Sequence, residues 1–223
     1  MGEEANPIHL FRQLHHHYGP QHWWPSESPF EVMVGAILTQ NTAWERVETA
    51  IENLRVNQLL SVEGILSVSQ SELAELIRPS GYFNLKSKRL QGYCSWYMEH
   101  EEQLWKMDTN RLREALLGVN GVGPETADDI LLYAFERPVF VVDAYTRRIF
   151  QRTGILSGDE SYEPIRSRVE QAFSAEGGEI RVQQFNEFHA LIVAHAKQHC
   201  RTRPLCDGCP LRCGYPSTQA SSR

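Results

Sequence analysis

Four of the five cysteines fall in the C-terminal stretch, spaced Cys200-x5-Cys206-x2-Cys209-x3-Cys213. Four thiolates in one short loop can close around a tetrahedral Zn²⁺ or a 4Fe–4S cluster. The spacing alone does not choose, although a lone structural zinc usually favours two Cys-x2-Cys pairs and only one is present. A second group is the run VFVVDAYTRRIFQRTGI, which sets Asp143 between an apolar segment and a helical pattern. A carboxylate there is positioned rather than solvated, as a helix N-cap or as a reacting group. A third is GVNGVGPETA, where Gly121 and Gly123 bracket Val122 and Pro124 opens a helix. Such a turn allows close backbone approach, and the outward N–H groups of the helix start suit a phosphate without any basic side chain. The glycine spacing does not match GxGxxG and no Walker lysine follows, so a nucleotide cofactor site is not expected. A fourth group is aromatic. Trp23 and Trp24 precede Pro25 in a loop, and Thr39, Gln40, Asn41, Thr42 and Ala43 lead to Trp44. Indole faces can sandwich a flat, cationic ring.

The elements that must position these residues read as helices throughout. The stretch 29–54 carries apolar residues at Phe30, Val34, Ile37, Leu38, Val47, Ile51 and Leu54, mostly at i, i+3, i+4. Ser28 before Pro29 is an N-cap followed by proline at the first helical position. Ser69 or Ser71 starts a helix that Pro79, Ser80 and Gly81 end. Further helices are predicted over 86–105, from Asp108 or Thr109 through Leu117, and over 124–135, 143–153, 164–175 and 185–199. Val139 to Val142 has the β-branched content of a short strand. The expectation is an all-α chain of about ten helices with short connections. Cys94 reads as a buried small apolar residue. His15, His16 and His17 are consecutive and so point in different directions on a helix, which makes them a solvated face rather than a metal site. His189 and His195 read as packing residues of the last helix.

The 223 residues are 41% hydrophobic and 22% charged, an ordinary globular balance that excludes wholesale disorder. The longest apolar runs fall far short of the roughly 20 residues of a membrane span, and the acidic start MGEEANPIHLFRQL lacks the apolar core of a signal peptide. With an odd cysteine count as well, a cytoplasmic protein without a disulfide framework is expected. The net charge of −6 argues weakly against a polyanionic partner. Local clusters point the other way: Arg78, Lys86, Lys88 and Arg89; Arg137, Arg147, Arg148 and Arg152; Lys197, Arg201, Arg203 and Arg212.

Taken in order, GVGPETA, VVDAYTRRIFQRTGI and the terminal cysteine loop resemble the helix-hairpin-helix DNA glycosylases of the endonuclease III superfamily, over most of the chain from about Pro29 to Cys213. The set WWP and LTQNTAW looks like the 3-methyladenine glycosylase branch. The resemblance implies an all-α, two-lobed fold with a DNA cleft between lobes: 29–133 as one lobe with its hairpin over 112–135, 1–28 plus 134–199 as the other, a cluster loop over 200–213 and a tail over 214–223. It implies that Asp143 is the catalytic carboxylate. Trp23, Trp24, Pro25 and Trp44 would form the base pocket, with Trp23 and Trp44 stacking on the base. Gln40 would enter the duplex, and Gly121, Val122, Gly123 and Thr126 would bind DNA. Cys200, Cys206, Cys209 and Cys213 would hold a 4Fe–4S cluster, favoured over zinc although this loop is shorter than the family's in two places.

One departure bears on mechanism. Family members that also cut the strand carry a lysine nucleophile in the pattern GVGxKTA, and here that slot is Glu125. Without the amine no Schiff base forms at that position. The resemblance therefore implies a monofunctional glycosylase excising an alkylated purine such as 3-methyladenine. Its partner is double-stranded DNA with damaged bases; no membrane is involved, and the enzyme acts as a monomer, associated with the nucleoid in a bacterium. Lys197 as a substitute nucleophile is disfavoured by its place in the C-terminal helix. A bifunctional oxidised-pyrimidine glycosylase with lyase activity and a non-catalytic damage sensor are the alternatives.

Overall fold

A computed structural model describes residues 6–23, 28–176 and 182–211. Among the described residues every regular element is helical, and no helix is long and apolar enough to cross a membrane. The chain divides into two compact units, Ser26–Arg137 and the combination of Met1–Pro25 with Pro138–Arg223.

In the continuous unit, α2 (Pro29–Leu38) starts at Ser28, whose hydroxyl accepts the Glu31 N–H at 3.2 Å. It is buried from Val32 to Leu38. The single helical pattern expected over 29–54 is broken here: α3 (Trp44–Val56) begins anew after a turn in which Asn41 takes a left-handed φ of +54°. The short α4 (Val62–Ser67) and α5 (Gln70–Leu76) pack on α6 (Phe83–Leu104). Ser69 caps α5 in a full capping box with Glu72, which satisfies two helix-end donors at once. A 3₁₀ turn over Arg78–Ser80 leads into α6, and Cys94 on that helix is completely buried, with its thiol pushed up to about 12 by burial and by Glu63. Asp108 caps α7 (Thr109–Leu117), which is followed by the glycine turn and α8 (Pro124–Asp129). The next turn, Ile130–Ala134, is π-helical rather than α-helical, and it packs against α2.

In the other unit, α1 (Pro7–Tyr18) lies on α10 (Tyr162–Ala175) and on α11 (Val182–Gln198), and α11 also packs on α9 (Ala144–Thr153). Phe11, Phe140, Phe173, Phe185 and Phe188 interlock at ring separations of 5.3–5.7 Å to form its core. The expected strand over Val139 to Val142 is an extended segment outside any ladder. Its amide groups go to side chains instead: Phe140 N–H donates to Glu170 Oε1 and Val142 N–H to the Tyr162 hydroxyl. His15, His16 and His17 are exposed in the last turn of α1.

Candidate active site

In the continuous unit, the hairpin and the α2–α3 turn are wired together. Gly121 takes a φ of +89°, and a Cβ there would sit 2.5 Å from Arg89 Cδ, so the position requires glycine on both counts. Gln40 Nε2 donates to Gly121 O at 2.9 Å and to Thr126 Oγ1 at 3.0 Å, while Arg89 Nη1 donates to Gln40 Oε1 at 2.7 Å. Gln40, Gly121 and Thr126 are thus brought into one network. Val122 and Thr126 are buried, and Gly123 is the extended N-cap of α8. Glu125 is exposed on the first turn of that helix.

Lys86 and Tyr82 belong to the same neighbourhood and are not legible from motif spacing. Lys86 is 1% exposed, and its Nζ donates to Leu38 O, Thr42 Oγ1 and Ser80 O at 2.7–2.8 Å. One cation therefore ties the end of α2, the following turn and the 3₁₀ turn. Burial, helped by Arg89, pulls its ammonium down to about 8. Tyr82 leaves 69% of its surface exposed from a left-handed backbone position. Such conformations cost non-glycine residues energy and gather at working sites. Trp44 is half-buried at the first position of α3.

In the other unit, Asp143 is the N-cap of α9, and its Oδ1 accepts the Thr146 N–H at 2.7 Å. Its Oδ2 lies 3.6 Å from Nε2 of His189, and 14% of the carboxylate side chain stays exposed. Burial pushes the carboxyl up, but the His189 contact and the Thr146 N–H outweigh it, so Asp143 is held below the usual carboxylate value. Trp23 packs edge-on against His189: the ring centroids are 5.4 Å apart, at an interplanar angle of 69°. Trp23, His189 and Asp143 thus form a chain of contacts within one unit. Trp24 and Pro25 lie outside the described residues.

The cysteine loop follows α11. Cys200, Cys206 and Cys209 line one small cavity with Arg152, His195 and Leu205; Cys213 lies outside the described residues. Among the described residues no three His, Cys, Asp or Glu side chains already converge as a metal site. The donor set nonetheless fits an all-thiolate centre. Three thiols share the cavity, and the Arg152 guanidinium, 3.2 Å from Cys200 Sγ, offsets negative charge there. Arg152 also donates to Arg201 O and Thr202 O, and Arg148 Nε to Cys200 O.

These arginines correct the reading of the basic clusters as surface patches. Arg78 pairs with Glu75, Arg137 donates to Trp105 O and Met107 O, and Arg147 donates to Glu160 O. With Lys86, Arg89, Arg148 and Arg152 also engaged, most of the clustered cations hold the chain's own acceptors.

Residues 34–175 match the HhH-GPD superfamily of base excision DNA repair proteins. The chain belongs to this superfamily. This HhH-GPD protein is 46% identical over 208 residues to a Methanocaldococcus jannaschii protein provisionally named a DNA repair glycosylase, covering 91% of the chain and 92% of the relative. It resembles the H. pylori 3-methyladenine DNA glycosylase MagIII, solved with 1,N6-ethenoadenine, at a TM-score of 0.75 and 30% identity, over 86% of this chain and 98% of that one. A non-covalent endonuclease III–DNA complex shares the fold at a TM-score of 0.79 and 20% identity, with 97% of each chain covered. The HhH-GPD chain is an all-α base-excision DNA glycosylase of the endonuclease III superfamily.

Proposed function

We propose that the enzyme is a monofunctional glycosylase that hydrolyses the N-glycosidic bond of an alkylated purine, such as 3-methyladenine, in double-stranded DNA. The observation that carries this reading is the adjacency of the Asp143 carboxylate and the Trp23 indole, separated by one side chain, His189. Reaching the bond requires the nucleotide to leave the stack, at a cost of a few kcal/mol. A carboxylate kept ionised then stabilises the oxocarbenium character that develops on the sugar, and orients the attacking water. An electron-rich indole favours a ring that carries a positive charge, by roughly 0.5–2 kcal/mol. Trp44, Trp24 and Pro25 complete the pocket in this reading. The likeness to the H. pylori 3-methyladenine glycosylase supports the substrate class.

Glu125, exposed where the lyase members carry lysine, supports hydrolysis by water over Schiff-base chemistry. The hairpin residues Gly121, Val122, Gly123 and Thr126 grip the phosphate backbone, which positions the protein without reading sequence. Gln40 enters the vacated duplex space by exchanging its hydrogen bonds to the hairpin for bonds to the opposite base. Cys200, Cys206, Cys209 and Cys213 would hold a 4Fe–4S cluster, which ties the C-terminal loop together by iron–thiolate bonds.

The test is a panel of lesion-bearing duplexes scored for released base, paired with borohydride treatment on an abasic duplex. Free 3-methyladenine and no covalent adduct are expected. Release of oxidised pyrimidines with a trapped adduct would overturn the reading in favour of a bifunctional enzyme, and no release from any duplex would favour the damage sensor.

A further inference from the structure

We propose that His189 is a positioning residue of the site: one buried imidazole that holds the Asp143 carboxylate on one side and the Trp23 indole on the other. This rests on the reading of Asp143 as the reacting carboxylate and extends it to a residue that the motifs do not mark.

The geometry is specific. His189 is 4% exposed on α11, and its Nε2 faces Asp143 Oδ2 at 3.6 Å. Asp143 is fixed at its other oxygen by the Thr146 amide, and the imidazole stands beside Oδ2 at ion-pair rather than hydrogen-bond distance, where it acts on the charge of the carboxylate. The edge-on packing of Trp23 uses the same ring. A carboxylate set by its helix cap alone keeps one oxygen free to turn; an imidazole beside Oδ2 favours the orientation that faces it. It also links the group that meets the sugar to a ring that meets the base, so displacement of either is felt by the other. Among the described residues, the following charged or titratable groups on the surrounding segments hold other partners. Arg147 donates to Glu160 O, and Arg148 donates to Cys200 O and lies over Tyr145. Glu187 accepts from Gln21 N, Tyr162 from Val142 N, and Tyr18 bonds His195. His189 is therefore the titratable side chain that bears on Asp143, beside the Thr146 amide and hydroxyl.

The experiment compares His189→Phe, which keeps an aromatic ring against Trp23 but has no N–H, with His189→Gln, which keeps a donor. The first readout needs no substrate: the titration of the Asp143 carboxyl carbon by NMR in protein labelled at aspartate, with the resonance assigned by its loss in Asp143→Asn. His189→Phe is expected to move that titration up by about one pH unit or more, and His189→Gln by clearly less. The second readout is single-turnover base release from methylated duplex DNA. His189→Phe is expected to slow it at least tenfold and to move its acid limb upward in step with the carboxyl, while His189→Gln recovers part of both. An unmoved Asp143 titration in a folded His189→Phe protein overturns the proposal; should that variant not fold, His189→Leu, which also lacks a donor, is read in the same way. Base release that survives Asp143→Asn overturns instead the reading on which it rests, and leaves the tuning of Asp143 to be judged by the titration.

Discussion

Asp143 caps α9 and, in the proposed function, is also the reacting carboxylate, so two substitutions should separate the two roles. As the N-cap of α9 it accepts the Thr146 N–H at 2.7 Å through Oδ1. Asparagine keeps an oxygen in that place and alanine does not. Losing an N-cap costs about 0.5–2 kcal/mol, and for a chain of this size each kcal/mol moves Tm by about 2–4 °C. Asp143→Ala should therefore melt measurably below Asp143→Asn. Both remove the charge that would face the developing cation, an effect of the order of 10²–10⁴ in rate for such groups. Base release should fall by that factor in both variants, with binding to undamaged duplex unchanged. The charge also has a thermodynamic signature. The folded Asp143 value lies below the ordinary 3.8, so this carboxylate adds stability that is fully present above that value and is lost as pH falls through the folded one. The parent should thus lose stability relative to Asp143→Asn as the pH is lowered below about 4. Circular-dichroism melts from pH 7 to 3 and single-turnover kinetics provide the measurements. Asp143→Asn releasing base at near the parental rate refutes the catalytic assignment, and equal melting of the two variants refutes the capping argument.

Glu125→Lys should give a borohydride-trapped adduct on an abasic duplex where the parent gives none; an adduct with the parent contradicts the hydrolytic reading. Cys206→Ser should lose absorption near ~400 nm together with iron, and melt lower; a parent purified without iron and with bound zinc refutes the cluster. Lys86→Met should cost about 1–3 kcal/mol by orphaning buried acceptors. With the folded ammonium at about 8 against 10.5 unfolded, the parent gains stability across that window, so the gap to Lys86→Met should widen as pH rises from 8 to 10; a gap that narrows refutes the buried-cation assignment. Affinity for undamaged duplex should fall only gently with salt, with a log–log slope of about −2 to −4, because few cations are left to displace counterions.

What the chain discloses before folding is its local chemistry. Ser28 with Pro29, Ser69 with Glu72, and Asp108 each carry a cap signature, and each starts a helix. Periodicity failed where tertiary contacts decide. The pattern over 29–54 stays in phase across the turn, and nothing in it shows that Asn41 is left-handed or that Lys86, far along the chain, holds the turn open. The apolar run at Val139 to Val142 has strand composition but no neighbouring strand to pair with among the described residues, so side chains take its amides. At Asp143 the structure shows the cap hydrogen bond, and the proposed reacting carboxylate would be aimed by that same bond. Periodicity makes His189 a packing residue, and only the family resemblance brings it near the site. The period of α11 places it on a packed face, but a pattern on one helix does not disclose which side chain of α9 lies opposite.

Charge is where composition misleads most. A net charge of −6 looks unsuited to DNA, and the basic clusters look like its remedy. Several of those clustered cations hold the chain's own acceptors: Arg148 and Arg152 on the carbonyls of the cysteine loop, Arg137 on the end of α6 and the loop beyond it, Lys86 on the α2 turn, Arg89 on Gln40. A guanidinium already bridging two carbonyls keeps its charge but cannot reorient toward a phosphate without freeing acceptors that would then need new partners. Exposed cations such as Lys88 and Arg203 remain, and in the proposed function they share the grip on DNA with neutral donors, which carry no counterion to release. A glycine turn opening onto a helix start supplies such donors, because its N–H groups approach an anion closely without bringing charge. In the proposed function this is how an acidic chain acts on a polyanion, and it gives the conformation of Gly121 a weight that the tally of lysines and arginines does not show.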